Sequence, residues 1–276
     1  MVFTIPHEIS MIISSDPENG ATNLQDNGSY FEVKLEEGIQ IPREALNVSI
    51  KVEEASIWWT IPNVETGKND ILHVTGPNTS DVITTFDITI PQGLYDLNLL
   101  NLTIERQLKD AGAKTSPNSL ITLLNNNSTQ KVELDCNYSS VSIDFTHNDS
   151  ISHLLGFEKQ IYNASVNIAP NIAKFNDINY FIIHSDITSQ GIRFNGTYTQ
   201  SLTQVLIDVS PGNQILNRPY HPAKVDCSNL RGENKNILRF WLSDDKNRRV
   251  HTNGEYWTAR LKIEWLQPFI VSETPH

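Results

Sequence analysis

The sequence predicts a mainly β protein with a small α+β domain set into it. Runs of alternating apolar and polar residues recur at both ends of the chain, the mark of half-buried strands. Only the stretch near residues 97–111 carries the 3.6-residue apolar period of a good helix. The chain is 38% hydrophobic and only 19% charged, and Asn, Ser and Thr, which favour turns and β-edges, fill the gap. Its 276 residues are enough for a substantial core.

The opening segment, MVFTIPHEISMII, has neither a basic leader nor a continuous apolar run, so no signal peptide is read there. In residues 30–36, Phe31, Val33 and Leu35 alternate with Glu32, Lys34 and Glu36, which gives one buried face. The next apolar set, Leu46, Val48, Ile50 and Val52, is all even, whereas Ala55, Ile57, Trp59 and Ile61 are all odd. The parity changes at Glu53-Glu54, where a β-bulge or sharp bend supplies the extra residue. Trp59 then continues the core face, and Trp58 is turned to the other side of the sheet. Residues 66–80 read as loop, punctuated by Gly67, Gly76 and Pro77.

A strand, VITTFDITI, ends at Pro91-Gln92-Gly93 and leads to the helix. Leu97, Leu100, Ile104, Leu108 and Ala111 form its apolar stripe, Asp96 is placed to cap it, and Gly112 closes it. A hairpin follows, SLITLL and QKVELDC, around Asn125-Asn126-Asn127-Ser128, then the strand VSIDF and a short helix in NDSISHLLGF stopped by Gly156. The β texture returns with INYFIIHSDI and TQVLIDVS, followed by the long connection PGNQILNRPYHPAKVDC. NILRFWL buries Leu238, Phe240 and Leu242, the alternative face being Ile237, Arg239 and Trp241; YWTARLKIEWL buries Trp257, Ala259, Leu261, Ile263 and Trp265. The expected division is a β-sandwich built from 1–80 and 166–276, with 81–165 as the inserted domain. Two consecutive domains are the alternative, because sequence does not show which strands pair.

The formal charge of −11 argues against a protein that coats nucleic acid. The one basic run, Lys246-Asn247-Arg248-Arg249, directly follows Asp244-Asp245 and reads as a solvated turn. Cys136 and Cys227 fit no CxxC pattern and read as free buried thiols, a disulfide being the alternative. The N-x-S/T triplets, among them Asn47, Asn101, Asn127, Asn148 and Asn195, follow from an Asn-rich composition. His184 and Asp186 share a face of one strand, where a surface hydrogen bond is the plain reading and a metal or general-base role the alternative. Asp244, Asp245 and Asn247 lack the spacing and central glycine of a calcium loop. Ser150 and Ser152 read as helix caps. No HExxH, G-x-S-x-G or glycine-rich phosphate cradle is present, so no catalytic residue, cofactor or metal ligand is assigned. No stretch approaches the length of a membrane span.

Three elements carry a resemblance: ITIPQGLYDLNLLNLTIERQL before and within the helix, VSIDFTHNDSISHLLGF after the hairpin, and LSDDKNRRVHTNGE between the last two strands. In this order and spacing, spread over residues 55–266, the chain resembles the penton, or minor capsid, proteins of Polinton-type elements and virophages, in the adenovirus-like double-jelly-roll lineage. The first 30 residues match nothing in that pattern. The resemblance implies a single jelly-roll β-sandwich that forms homopentamers at capsid vertices beside a double-jelly-roll major capsid protein. It also implies a place in the virion and no catalytic residues. The count of strands outside the α+β unit suits one jelly roll of about eight strands. The competing reading is a jelly-roll binding module for carbohydrate or a host receptor, with an outward tryptophan stacked on a sugar; a β-sandwich hydrolase is a distant third. Trp58 is the candidate subunit-interface residue.

Overall fold

The chain begins with four strands: β1 (Val2–Ser14), β2 (Ala21–Gln25), β3 (Tyr30–Gln40) and β4 (Leu46–Trp58). The computed structural model describes residues 2–126, 128–163, 165–175, 178–194 and 196–270; Asn127, at the tip of the expected hairpin, and Asn195 lie outside them. Along β4 the buried residues are Val48, Ile50 and Val52, then Ala55 and Ile57, with Trp59 just beyond. Facing it, Arg260 pairs with Glu54 and Leu261 with Val52, so Glu53 is the extra residue of a bulge. The change of parity in the sequence is this bulge.

Contacts divide the molecule into two compact units, residues 1–61 with 178–276, and residues 62–177. The middle unit holds β5 (Ile71–Pro77), β6 (Ile83–Thr89), α1 (Leu97–Asp110), β7 (Ile121–Asn126), β8 (Lys131–Cys136), β9 (Ser142–Asp144), α2 (Ser152–Leu155), β10 (Ile161–Tyr162) and β11 (Val166–Ile168). Its sheets run β10-β9-β5-β6 and β11-β8-β7. Helix α1 starts where the Asp96 carboxylate accepts the Leu99 N–H. Leu100, Ile104 and Leu108 are buried in one core with Leu123 and Leu134 of the hairpin and Phe145 of the strand after it, while Ala111 is exposed, so the stripe ends one turn early. The side-chain oxygen of Asn101 accepts the Leu123 N–H at 2.9 Å and ties the helix to β7. At the end of α2, Gly156 has φ +80°, and a Cβ there would stand 2.4 Å from the Asn171 carbonyl oxygen.

These boundaries differ from the 81–165 expected for the insertion. The segment before residue 81 contains β5, which pairs with both β6 and β9 and so sits inside the middle unit. At the other end β11 pairs with β8.

The chain then returns with β12 (Tyr180–Ser185), β13 (Arg193–Phe194), β14 (Thr197–Tyr198), β15 (Ser201–Leu206), β16 (Gln214–Asn217), β17 (Val225–Asp226), β18 (Asn234–Ser243) and β19 (Thr258–Ile270). One sheet has the order β1-β19-β4-β16, with β17 also on β4; the other has the order β15-β12-β18-β3-β2. Four pairs nest, β1 with β19, β3 with β18, β4 with β16 and β12 with β15, and the further pairings of β19 with β4 and of β18 with β12 join them into sheets. A long hairpin rolled into two antiparallel sheets has this pattern, and it is a jelly roll. Phe31 meets Trp257 edge-on at 5.2 Å and Phe240 at 5.6 Å, and the Trp257 indole N–H donates to the Gly28 carbonyl at 3.1 Å. Leu238, Phe240 and Leu242 are buried as their alternation predicts. In β12, by contrast, Phe181, Ile182, Ile183 and His184 are all buried, so this central strand is covered on both faces.

Shortening the middle of the α1 stripe tests the second core. Ile104→Ala should cost about 2–4 kcal/mol in denaturant unfolding, the usual price of deleting a packed aliphatic side chain. A loss under about 0.5 kcal/mol, as at an ordinary surface position, would show that the stripe does not pack.

Candidate interaction surface

Strand alternation decides what the β1-β19-β4-β16 sheet shows on its outer side. Trp58 is 37% exposed where its neighbour Trp59 is 7% exposed. Across the ladder, Trp58 stands opposite Gln214 and Ser56 opposite Leu216, so Leu216 is Trp58's diagonal neighbour on the same face. Leu216 is likewise exposed. Ser56 also faces Thr258, and Ile12 on β1 faces Arg260, which places Ile12 on this side too. The structure therefore sets the sequence-predicted Trp58 beside an exposed leucine, with hydroxyls and an amide around it.

Most other charges on this face are paired. Lys51 lies 2.7 Å from Glu264 and 3.9 Å from Glu53; Lys224 reaches Glu264 at 2.7 Å, Lys262 reaches Glu8 at 2.6 Å, and Arg218 reaches Glu54 at 2.8 Å. Hydrogen bonds from Lys224 and then Lys51 hold the Glu264 carboxyl down at about 2, against the opposing effect of burial. The hydrogen bond to Arg218 lowers Glu54 as well.

The other residues weighed in the sequence fall elsewhere. His184 and Asp186 do not meet, since β12 ends between them. The His184 ring stacks on Trp241 at 5.3 Å with its Nε2 2.7 Å from the Ser243 hydroxyl, and burial pushes its pKa down to about 4. Asp186 instead accepts from Lys235 at 2.8 Å and from the Arg239 backbone N–H at 3.0 Å. The Asp244 carboxylate accepts the N–H groups of Lys246 and Arg248 and pairs with the Arg248 guanidinium at 2.6 Å, so it staples the turn. Asp245 accepts from the Asn179 side chain at 2.6 Å. The Ser150 hydroxyl accepts the Ser152 N–H at 3.2 Å, but the N-cap of α2 is Ile151, with no side-chain cap bond, and Ser152 is the first residue of the helix, so neither serine is the expected cap. Cys136 and Cys227 are free and buried, and burial raises their thiols to about 11 and about 12. Among the described residues no group of three His, Cys, Asp or Glu side chains is placed to hold a metal ion.

Sequence reasoning missed Leu216 and Ile12. Leu216 lies in the long connection, where no strand is read, and Ile12 in the opening segment, read only for a signal peptide although Phe3, Ile5, Ile9, Met11 and Ile13 alternate there with polar residues and with Ile12; their pairing partners show which way they point.

No family model matches the chain, and no curated protein matches it. Among solved structures it is similar to the crystal structure of a selenomethionine-labelled mavirus penton protein, at 15% identity and a TM-score of 0.46, over 95% of this chain and 99% of that one. A likeness that loose says nothing of partners or assembly.

His184 gives the first unit a pH signature. Its folded pKa of about 4 lies below the ordinary 6.5, so between those values the folded state binds fewer protons than the unfolded chain. Its contribution to stability is complete above about pH 6.5 and is lost as pH falls toward 4. His184→Gln should flatten that part of the stability–pH curve measured by denaturant unfolding. A variant as steep as the wild type would remove His184 as the cause.

Proposed function

We propose that the chain is a structural capsid subunit, a penton or minor capsid protein that forms homopentamers at icosahedral vertices beside a double-jelly-roll major capsid protein. The observation that carries this reading is the nested jelly-roll pairing of the first unit, with residues 62–177 set between β4 and β12. Fold alone does not assign function. The three sequence elements of the resemblance add to it, each falling at a defined place: IPQGLY leads into α1, NDSISHLLGF forms α2, and LSDDKNRRVHTNGE spans the turn from β18 to β19. In this reading the role is one of assembly rather than catalysis, the chain takes no cofactor, and its place is the virion, built inside the host cell.

The Trp58–Leu216 patch is the proposed contact with a neighbouring copy. Large exposed apolar groups in proximity mark interaction surfaces, and aromatic anchors dominate the energetics of such contacts. Mass measurement and negative-stain imaging of the purified protein test the reading directly: a five-membered ring supports it. An exposed indole also suits a sugar ring, so a strict monomer that binds glycans would put the binding-module reading ahead.

Trp58→Ala separates the subunit contact from the fold. The variant should keep the wild-type melting temperature as a monomer while its association weakens by about tenfold or more. A ring of unchanged mass distribution across the same concentrations would sink the Trp58 contact.

A further inference from the structure

Among the described residues the two large sheets of the first unit end at β16 and β17, β15, β2 and β1, and all of these but β1 are short or broken. β16 has 4 residues and β15 has 6, while β2 has 5 and a register shift between Thr22 and Gln25. Such features protect edges from unwanted pairing. β1 is built differently. It has 13 residues, all paired to β19 without a register shift, and Glu8 is its one carboxylate. Its free edge is about 43 Å long at the usual rise per residue.

The direction of its backbone groups follows from one bond. Ser15 donates to the Trp257 carbonyl at 3.0 Å, so the odd-numbered residues before it turn their N–H and C=O groups toward β19. The even-numbered residues, Thr4, Pro6, Glu8, Ser10, Ile12 and Ser14, turn theirs to the open side. Pro6, which has no N–H, sits among them, where a proline costs the ladder nothing. A row of alternating donors and acceptors is satisfied by another extended strand.

Side chains of the same even residues line the outer face beside this edge. Ile12 is 69% exposed. Glu8 is 59% exposed and gives one carboxylate oxygen to Lys262, which leaves the other to a newcomer. We infer that the free edge of β1 is a strand-addition site for an extended, largely aliphatic segment of a partner protein that sets a lysine or arginine opposite Glu8. The site lies at the opposite edge of its sheet from β16 and the Trp58 patch, and it does not depend on capsid assembly.

The test uses the full chain and two nine-residue peptides of alternating threonine and valine, one with a central arginine, the other with a central glutamate. Hydrogen exchange should slow at the N–H groups of Thr4, Glu8, Ser10 and Ile12 when the arginine peptide is added with its arginine opposite Glu8, while Ser14, beyond the span of nine residues, should be unchanged. The glutamate peptide should bind about threefold more weakly, the size of one exposed charge contact. Glu8→Lys should reverse that preference. Ser10→Pro removes only an outward N–H, so the β1–β19 ladder survives while peptide affinity falls about fivefold. Near-UV circular dichroism identical to the wild type establishes that both variants are folded. The inference is overturned if neither peptide protects these groups or if Glu8→Lys leaves the preference unchanged. It is also overturned if the edge is already protected, in a concentration-dependent way, in the protein alone, which would make a second copy the occupant.

Discussion

The first unit rests on the ladder between its two ends. Val2 pairs with Ile270 and the register runs without a break to Ser14 and Thr258. Among the described residues β1 has no other partner, and β4 draws its neighbours from β16, β17 and β19, all in the C-terminal part of the chain. Neither half of the roll can therefore bury its apolar face before the other arrives. The middle unit is under no such constraint, because every strand pair in it is internal. The entropy of closing a loop grows only slowly with its length, so a folded insertion between β4 and β12 costs the roll little. What it does impose is pairing across most of the chain, the kind of non-local contact that slows folding.

Local pattern made much of this fold legible. The bulge at Glu53 was visible as a change of parity, because one extra residue moves every later side chain to the other face. The helix was visible because three buried residues at the right period have a capping aspartate before them. Pairing was not legible, since a ladder between residues 2 and 270 leaves no trace in either segment's periodicity. β5 was read as loop for a related reason. Leu72 and Val74 do alternate with Ile71, His73 and Thr75, but Gly76-Pro77 and the polar run before it outweighed so short a pattern. Placing β5 in the middle sheet then moved the domain boundary with it.

The candidate surface was half legible. Trp58 could be placed outward from the strand rule alone, yet its neighbour Leu216 depends on which strand lies beside β4. His184 shows where the rule stops. Alternation assumes one wet face, and β12 has none, so a histidine read as a surface group is buried and uncharged near neutral pH. The six residues of β12 include two consecutive isoleucines after a phenylalanine, a run that fits a strand covered on both sides as well as a half-buried one.

Charge pairing explains how a chain with few apolar residues and a net charge of −11 can still offer a face for burial. A lone carboxylate or ammonium costs several kcal/mol to remove from water. On the outer side of the β1-β19-β4-β16 sheet the cations and carboxylates meet at 2.6–2.8 Å before any partner arrives: Lys262 with Glu8, Lys51 and Lys224 with Glu264, Arg218 with Glu54. A covering surface would displace water from neutral pairs rather than from isolated ions. Trp58 and Leu216 can then supply the dry centre, and Ser56, Thr258 and Gln214 the polar surround that a protein interface needs. Around the indole, at Lys51, Glu264, Arg218 and Glu54, a partner of strong single-sign charge would gain little, because these ions are already matched.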